Sequence, residues 1–415
     1  MVGLGSGIVI DLAVLPVWGG GMPPSPTVFA QITARLFPVE FARCIRAYPM
    51  PRRSRSFSAF DHFLALCFGH LTGRESLRDI VTCLAARPHV QYRMGFRGRI
   101  TRTNLAYANE HRDWRVFATL AQLLMRKAAR RYRQDPGRAV LPELVYALDA
   151  SILHLSLKLF PWAFYPRSRA SALKLHLLLA WHGRLPAWAA ITEATFPDPK
   201  MMDAVPVEAG AFYVVDRAYL DFTRLIRWHR AGAFFVVRNK CHVRLRVLAS
   251  RPVDKPAGLR CDQTVRLSSP WSRDAYPEPL RRVRYRDVVE QRSLVFLTNN
   301  FDLAPEVICE LYRRRWQVEL FFKWMKQHLR IRQFYGRSEN AIRSQIWAAI
   351  ASYLLVALTR KELGLERSLY EMLQILSVSA FEETPINTLF RAPPASSETA
   401  PPQNTPYLQG LLTGQ

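Results

Sequence analysis

Val145-Tyr146-Ala147-Leu148-Asp149 is an apolar run of strand-forming side chains that closes on an acid. Phe212-Tyr213-Val214-Val215-Asp216 repeats the arrangement. β-Branched and aromatic side chains in runs of this length favour strands. An acid at the end of such a run is a turn former, a helix N-cap or a functional carboxylate. Working outward, Leu144 to Ala150, Ile152 to Leu159, Leu173 to Trp181, Ala187 to Glu193 and Ala211 to Val215 read as strands. A helix from Tyr219 to Ala231 and a strand from Ala233 to Val237 follow. Strands that give way to strand, helix, strand imply a mixed sheet in an α/β fold.

The pattern differs on either side. Upstream, Phe57 to Leu71, Ser76 to Ala86 and Asn104 to Ala129 have helical periodicity, with Thr103 as the expected N-cap of the last. Helices around the basic residues Arg93, Arg97, Arg99 and Arg102 suit an all-α DNA-binding domain over residues 38–135. A helical bundle with a solvated basic face is the alternative. Residues 1–37 read as a leader, disordered or part of a mis-assigned start before Met22, and Asp135-Pro136-Gly137 reads as a linker. Downstream, Pro252, Pro256, Pro270, Pro277 and Pro279 punctuate short alternating runs, His242 to Val247 and Thr264 to Leu267 among them. Residues 239–292 therefore read as a β-rich insertion that divides an α/β core of residues 140–238 and 293–365. The core resumes with a strand, Ser293 to Thr298, then helices Pro305 to His328 and Glu339 to Leu363. Residues 366–415 form a C-terminal segment whose Pro-rich tail, from Pro393, is expected to be disordered.

The chain has 415 residues, with 58 Lys and Arg against 33 Asp and Glu, a formal charge of +25. Only nine of the bases are Lys, and 49 are Arg, whose planar fork grips phosphate in two places. Such an excess calls for a polyanion, and nucleic acid is the expected one. At 49% hydrophobic residues, wholesale disorder is excluded. The six cysteines show no zinc-ligand spacing, and the adjacent Cys241 and His242 read as coincidence rather than a metal site. The N-terminus lacks a basic region ahead of its apolar stretch, and the apolar run Ala348 to Leu358 is shorter than a bilayer span. The expected location is cytoplasmic and nucleoid-associated, with no membrane partner.

A third carboxylate comes from the helix that begins at Pro305. At about 100° per residue, with Tyr312 at zero, Arg315 falls near 300°, Glu319 near 340° and Lys326 near 320°. One stripe thus carries all four. Glu319 is the only acid between Leu311 and Gln333, a segment that also holds Arg313, Arg314, Arg315, Lys323, Lys326, Arg330 and Arg332. The bland reading is a solvated face with an Arg315–Glu319 ion pair worth about 0.3 to 0.5 kcal/mol. The functional reading makes Asp149, Asp216 and Glu319 ligands for two Mg²⁺ ions, placed to activate the attacking oxygen and stabilise the leaving oxygen of a phosphodiester. The surrounding bases would hold the DNA backbone.

The spacing Tyr312, Arg315, Glu319, Lys326 resembles the Tyr-Arg-Glu-Lys signature of the insertion-sequence-four family of bacterial DDE transposases. Leu148-Asp149-Ala150-Ser151, Val215-Asp216-Arg217-Ala218-Tyr219, Leu297-Thr298-Asn299-Asn300 and, upstream, Ser76-Leu77-Arg78-Asp79 and Ala108-Asn109-Glu110 are similar to that family in order and context, over roughly residues 40 to 365. The resemblance implies an RNase H-like core with a DDE triad of Asp149, Asp216 and Glu319, two Mg²⁺ with Mn²⁺ able to substitute, and Tyr312, Arg315 and Lys326 gripping terminal phosphates. It implies cleavage and strand transfer at the terminal inverted repeats of an insertion sequence through a hairpin intermediate. The partners would be double-stranded DNA, as transposon ends and target, and a second copy of the chain. The C-terminal region is short for the dimerising helices of some relatives. A flipped base needs an aromatic platform, for which Trp316 and, less favoured, Trp271 are the candidates. Two other readings stay open: a transposase-derived DNA-binding regulator without catalysis, and an RNase H-like nuclease that cuts without joining.

Overall fold

The computed structural model describes residues 26–36, 38–49, 57–133, 144–287, 291–329 and 334–391. The Asp135-Pro136-Gly137 linker, residues 1–25 and the tail from Pro393 lie outside the described residues.

Among the described residues seven helices come first: α1 (Val28–Thr33), α2 (Pro38–Ala47), α3 (Ala59–Leu71), α4 (Leu77–Ala85), α5 (Pro88–Gln91), α6 (Arg102–His111) and α7 (Arg115–Tyr132). Their starts follow local chemistry. The Ser58 hydroxyl accepts from the Asp61 N–H while Asp61 accepts from the Ser58 N–H, a capping box that opens α3. The long amphipathic run is divided into α6 and α7 at Arg112, Asp113 and Trp114. The N-cap is Thr101 rather than Thr103, its hydroxyl accepting from Asn104 N–H. The leader expected through residue 37 ends earlier, because Val28, Phe29 and Ile32 of α1 are fully buried. The Val28 and Phe29 N–H groups donate to Glu382 and Ala380 carbonyls near the other end of the chain.

The strands are β1 (Val145–Leu155), β2 (Phe164–Tyr165), β3 (Ala170–Ala180), β4 (Leu185–Glu193), β5 (Phe212–Val215), β6 (Phe234–Arg238), β7 (Leu245–Arg251), β8 (Leu259–Leu267), β9 (Leu280–Asp287) and β10 (Arg292–Thr298). Helix α8 (Phe222–Arg230) precedes β6 and α9 (Pro270–Ala275) precedes β9. After β10 come α10 (Pro305–Arg314), α11 (Trp316–His328), α12 (Glu339–Glu362), α13 (Leu369–Ser379) and α14 (Ile386–Leu389).

All ten strands lie in one sheet, in the order β2-β3-β1-β5-β6-β10-β9-β8-β7, with β4 also paired to β3. β1, β5 and β6 run parallel, and the other pairings are antiparallel. Two strands expected on either side of Ser151 are one, because β3 pairs with β1 without a break from Tyr146–Ala180 to Leu155–Ser171. Within the segment 239–292, β7, β8 and β9 extend the sheet past β10. Within that extension Arg281 of β9 donates twice to Asp262 of β8, at 2.8 Å each, in a buried pair.

Side chains alternate between the two faces. Tyr146, Leu148, Tyr213, Val215, Phe235 and Val237 pack with Leu225 and Trp228 of α8. Val145, Phe212, Val214, Val236 and Phe296 pack with Ile308, Leu311 and Tyr312 of α10. The N-terminal helices do not have a core of their own: Phe63, Phe117 and Leu124 share one apolar cluster with Val318 of α11, Ile350 and Leu354 of α12, and Leu175 and Leu177 of β3. Helix α12 is long and apolar enough by composition to cross a membrane, but its apolar window is wholly buried in the fold, as expected of a core helix.

Candidate active site

Asp149 and Asp216 are brought side by side by parallel pairing. Leu148 of β1 is in register with Val215 of β5, so the next residue on each strand is an acid. Asp149 is not at a strand end as the sequence suggested; it lies inside β1, opposite Leu177 of β3, because the pairing with β3 carries the strand onward. Asp216 does close its strand and begins the turn Arg217–Tyr219.

The stripe on α10 and α11 meets these acids. The helix breaks at Arg315, between the two segments, yet Arg315 keeps helical angles (φ −49°, ψ −34°) and the stripe stays aligned. The Tyr312 hydroxyl donates to Asp216 Oδ1 at 3.0 Å. Arg315 donates through Nη1 to Asp149 Oδ2 at 3.3 Å and through Nη2 to Glu319 Oε1 at 2.8 Å. Lys326 Nζ donates to the Ile152 carbonyl of β1 at 2.9 Å. The Arg315–Glu319 pair expected of a solvated face is present, and the same guanidinium also reaches Asp149, while Asp216 is held by Tyr312. Glu310, one residue before the segment read as having a single acid, pairs with Arg313 and Arg314 and neutralises part of its basic surplus.

Electrostatics mark Asp149 as the unusual member. Burial pushes its carboxyl up to about 6; Arg315 and the Ala150 N–H oppose that rise, and Glu319 and Asp216 add to it. Tyr312 is pushed up to about 12, first by burial and further by Asp216. Arg315 is raised: burial alone would lower it, but its interactions with Tyr312, Asp149 and Glu319 prevail.

A cleft of about 380 Å³ opens beside the acids, lined by Asp149, Ala150, Ser151, Glu319, Phe322, Lys323 and Lys326. Its carboxylates and two ammonium groups suit a phosphate ester better than an apolar ligand. Among the described residues, no three carboxylate, histidine or cysteine side chains stand close enough to hold a metal ion as they are. Arg315 occupies the space between two of the three acids. The donor set is nonetheless all-oxygen and hard, as Mg²⁺ prefers. Oxygen donors of this kind are the right chemistry for a divalent ion, with Arg315 in contact with two of them.

The aromatic candidates are both exposed, Trp316 at 51% and Trp271 at 77%. Cys241 is an exposed free thiol. Sequence reasoning missed two neighbours. Tyr219 is buried beside the acids with its hydroxyl unpartnered, and burial first, then Asp149, raises it well above the ordinary tyrosine range. Arg238, at the end of β6, lies near enough to Tyr312 to oppose its upward shift. The register β5–β6 could have pointed to Arg238, which follows Val237 as Asp216 follows Val215.

Residues 141–355 match the transposase DDE domain, and residues 25–97 match a domain of unknown function, DUF4372. A protein of Sinorhizobium fredii named as the transposase y4zB is 31% identical over 73% of this chain and 84% of its own length. One of Geobacillus stearothermophilus, named as the transposase for insertion sequence element IS5377, is 29% identical over 58% of this chain and 62% of its own. One of Synechocystis, named for insertion sequence element IS4SA, is 23% identical over 64% and 74%. The piggyBac transposase synaptic complex with hairpin DNA aligns at a TM-score of 0.39 and 11% identity over 92% of this chain and 82% of that one, too low to bear on the fold. On the domain match and the Sinorhizobium relative, the chain belongs to the transposase DDE domain family and is a DNA transposase.

Proposed function

We propose that the chain excises and inserts an insertion sequence by cleaving DNA at its terminal inverted repeats and joining the freed 3′ ends to target DNA. Asp149, Asp216 and Glu319 act as the catalytic carboxylates in this reading. The observation that carries it is the meeting of β1, the end of β5 and α11: Asp149 and Glu319 line one cleft with Lys323 and Lys326, Arg315 bridges those two acids, and the Tyr312 hydroxyl holds Asp216. Three antiparallel strands followed by two parallel ones, β4-β3-β1-β5-β6, support an RNase H-like core. The Tyr312, Arg315, Glu319, Lys326 spacing supports membership of the insertion-sequence-four family, and with it a hairpin intermediate.

The three carboxylates would hold two Mg²⁺, or Mn²⁺, which when bound supply Lewis-acid activation at the phosphodiester. Tyr312 orients Asp216 through its hydroxyl. Arg315 neutralises Asp149 and Glu319 until a phosphate offers its guanidinium a better partner, and Lys323 and Lys326 line the path of the backbone. Trp316, exposed one residue from Arg315, supplies a stacking face for an unpaired base. We assign DNA recognition to the helices of residues 38–135, a β-rich insertion to 239–292, and a homodimer at paired transposon ends.

Purified protein with Mg²⁺ and DNA spanning the inverted repeats beside its gene should cut at the repeat ends and join them to a target. Cleavage that survives Asp149→Ala or Glu319→Ala would overturn the catalytic assignment. Repeat binding without nicking in any divalent metal would favour a non-catalytic regulator, and cutting without joining a nuclease.

A further inference from the structure

No Asp or Glu occurs between Asp149 and Glu193. Within that acid-free stretch, the connection from β1 to β3 exposes Leu157, Leu159, Trp162 and Phe164, each between 40% and 52% open. Lys158, between Leu157 and Leu159, and Arg167 and Arg169, just beyond Phe164, are exposed as well. None of these three has a side-chain hydrogen bond or ion pair among the described residues.

The connection is nonetheless held in shape. Phe160, Ala163 and Tyr165 are buried beneath it. Phe160 meets Phe334 edge to face at 5.9 Å, and Ser171 Oγ donates to the Phe160 carbonyl. Trp162 Nε1 donates to the Arg337 carbonyl at 3.0 Å, so its ring is fixed while half open. Ordered apolar side chains left in water call for an occupant. A second copy meeting this face across a two-fold axis would set its cations against themselves. DNA satisfies both components at once, phosphates against the cations and base faces against the rings.

We propose that the β1–β3 connection is a DNA-binding finger, with Lys158, Arg167 and Arg169 on phosphates and Trp162 and Phe164 against bases. It projects from the strand that carries Asp149. From Asp149 to Leu155 the strand rises about 20 Å, so the finger meets DNA roughly six base pairs from the reacting phosphate. That distance rests on the assignment of Asp149 to catalysis.

The test is binding of the full chain to a fluorescein-labelled duplex of about 30 base pairs, in EDTA, across a salt series. Lys158→Gln, Arg167→Gln and Arg169→Gln together should weaken binding about tenfold or more and flatten the slope of log K against log salt by roughly two to three units. Trp162→Ala with Phe164→Ala should weaken binding severalfold and leave the slope alone. Thermal melts check that the variants fold. An unchanged slope in the triple variant overturns the finger, and if sedimentation also shifts to smaller species, the face belongs to a second copy. Binding in EDTA needs no cleavage. A wild type that cleaves while the triple variant keeps its slope sinks only the finger; a changed slope in a chain that never cleaves sinks only the catalytic reading.

Discussion

Arg315 reaches across 166 positions of sequence to donate to Asp149 at 3.3 Å, while also holding Glu319, four residues away, at 2.8 Å. One cation thus balances two acids that would otherwise repel each other in a partly dry cleft. The guanidinium is itself nine-tenths buried, with its Nε unpartnered.

Removing that cation should change how Asp149 titrates. Arg315 lowers the Asp149 carboxyl, yet burial still leaves it at about 6. In Arg315→Ala the carboxyl stays protonated to higher pH. The acidic limb of cleavage rate against pH should move up by about one unit, and Arg315→Lys should move it less.

Charge-neutral replacements at the acids separate chemistry from binding. Asp149→Asn and Glu319→Gln should each lower cleavage by more than about a hundredfold. DNA affinity measured in EDTA should stay the same or rise.

Histidines buried in the helical core predict acid sensitivity. His62 is fully buried, with Nε2 2.7 Å from Asn109 Oδ1, and burial first, then Arg112, lowers it to about 3. The unfolded chain takes up that proton near pH 6.5, whereas the folded chain resists until about 3. Stability therefore falls as pH drops through this window, by up to about 1.4 kcal/mol per unit for this one group. His62→Gln should flatten a plot of urea midpoint against pH. An unchanged plot would count against the buried neutral imidazole.

The buried Arg281–Asp262 pair joins β9 to β8 in the sheet extension. Arg281→Ala leaves the buried Asp262 only its longer Arg251 contact, at 3.4 Å, and should cost up to about 3 kcal/mol in unfolding measurements. Arg281→Ala with Asp262→Ala should recover part of that loss.

Gly183, in the turn between β3 and β4, has φ +75°, and a Cβ there would enter the Tyr132 ring. The Tyr132 hydroxyl donates to the Ala357 carbonyl of α12, so the ring cannot move freely. Gly183→Ala should destabilise by about 2 to 4 kcal/mol, read from its denaturant midpoint.

By itself the sequence determined what local chemistry controls. It placed most helices and strands, and it singled out Asp149, Asp216 and the stripe through Tyr312, Arg315, Glu319 and Lys326, because periodicity and strand-terminal acids are short-range patterns. Only the tertiary structure decided what depends on partners distant in the chain. Whether β1 stops at Asp149 or runs on to Leu155 depends on β3, whether residues 239–292 stand apart or extend the sheet depends on β10 meeting β9, and whether the N-terminal helices have a core of their own depends on α12. The same holds for Arg315: helix geometry gives its pairing with Glu319, but only the packing of α11 against β1 delivers Asp149 to its other nitrogen.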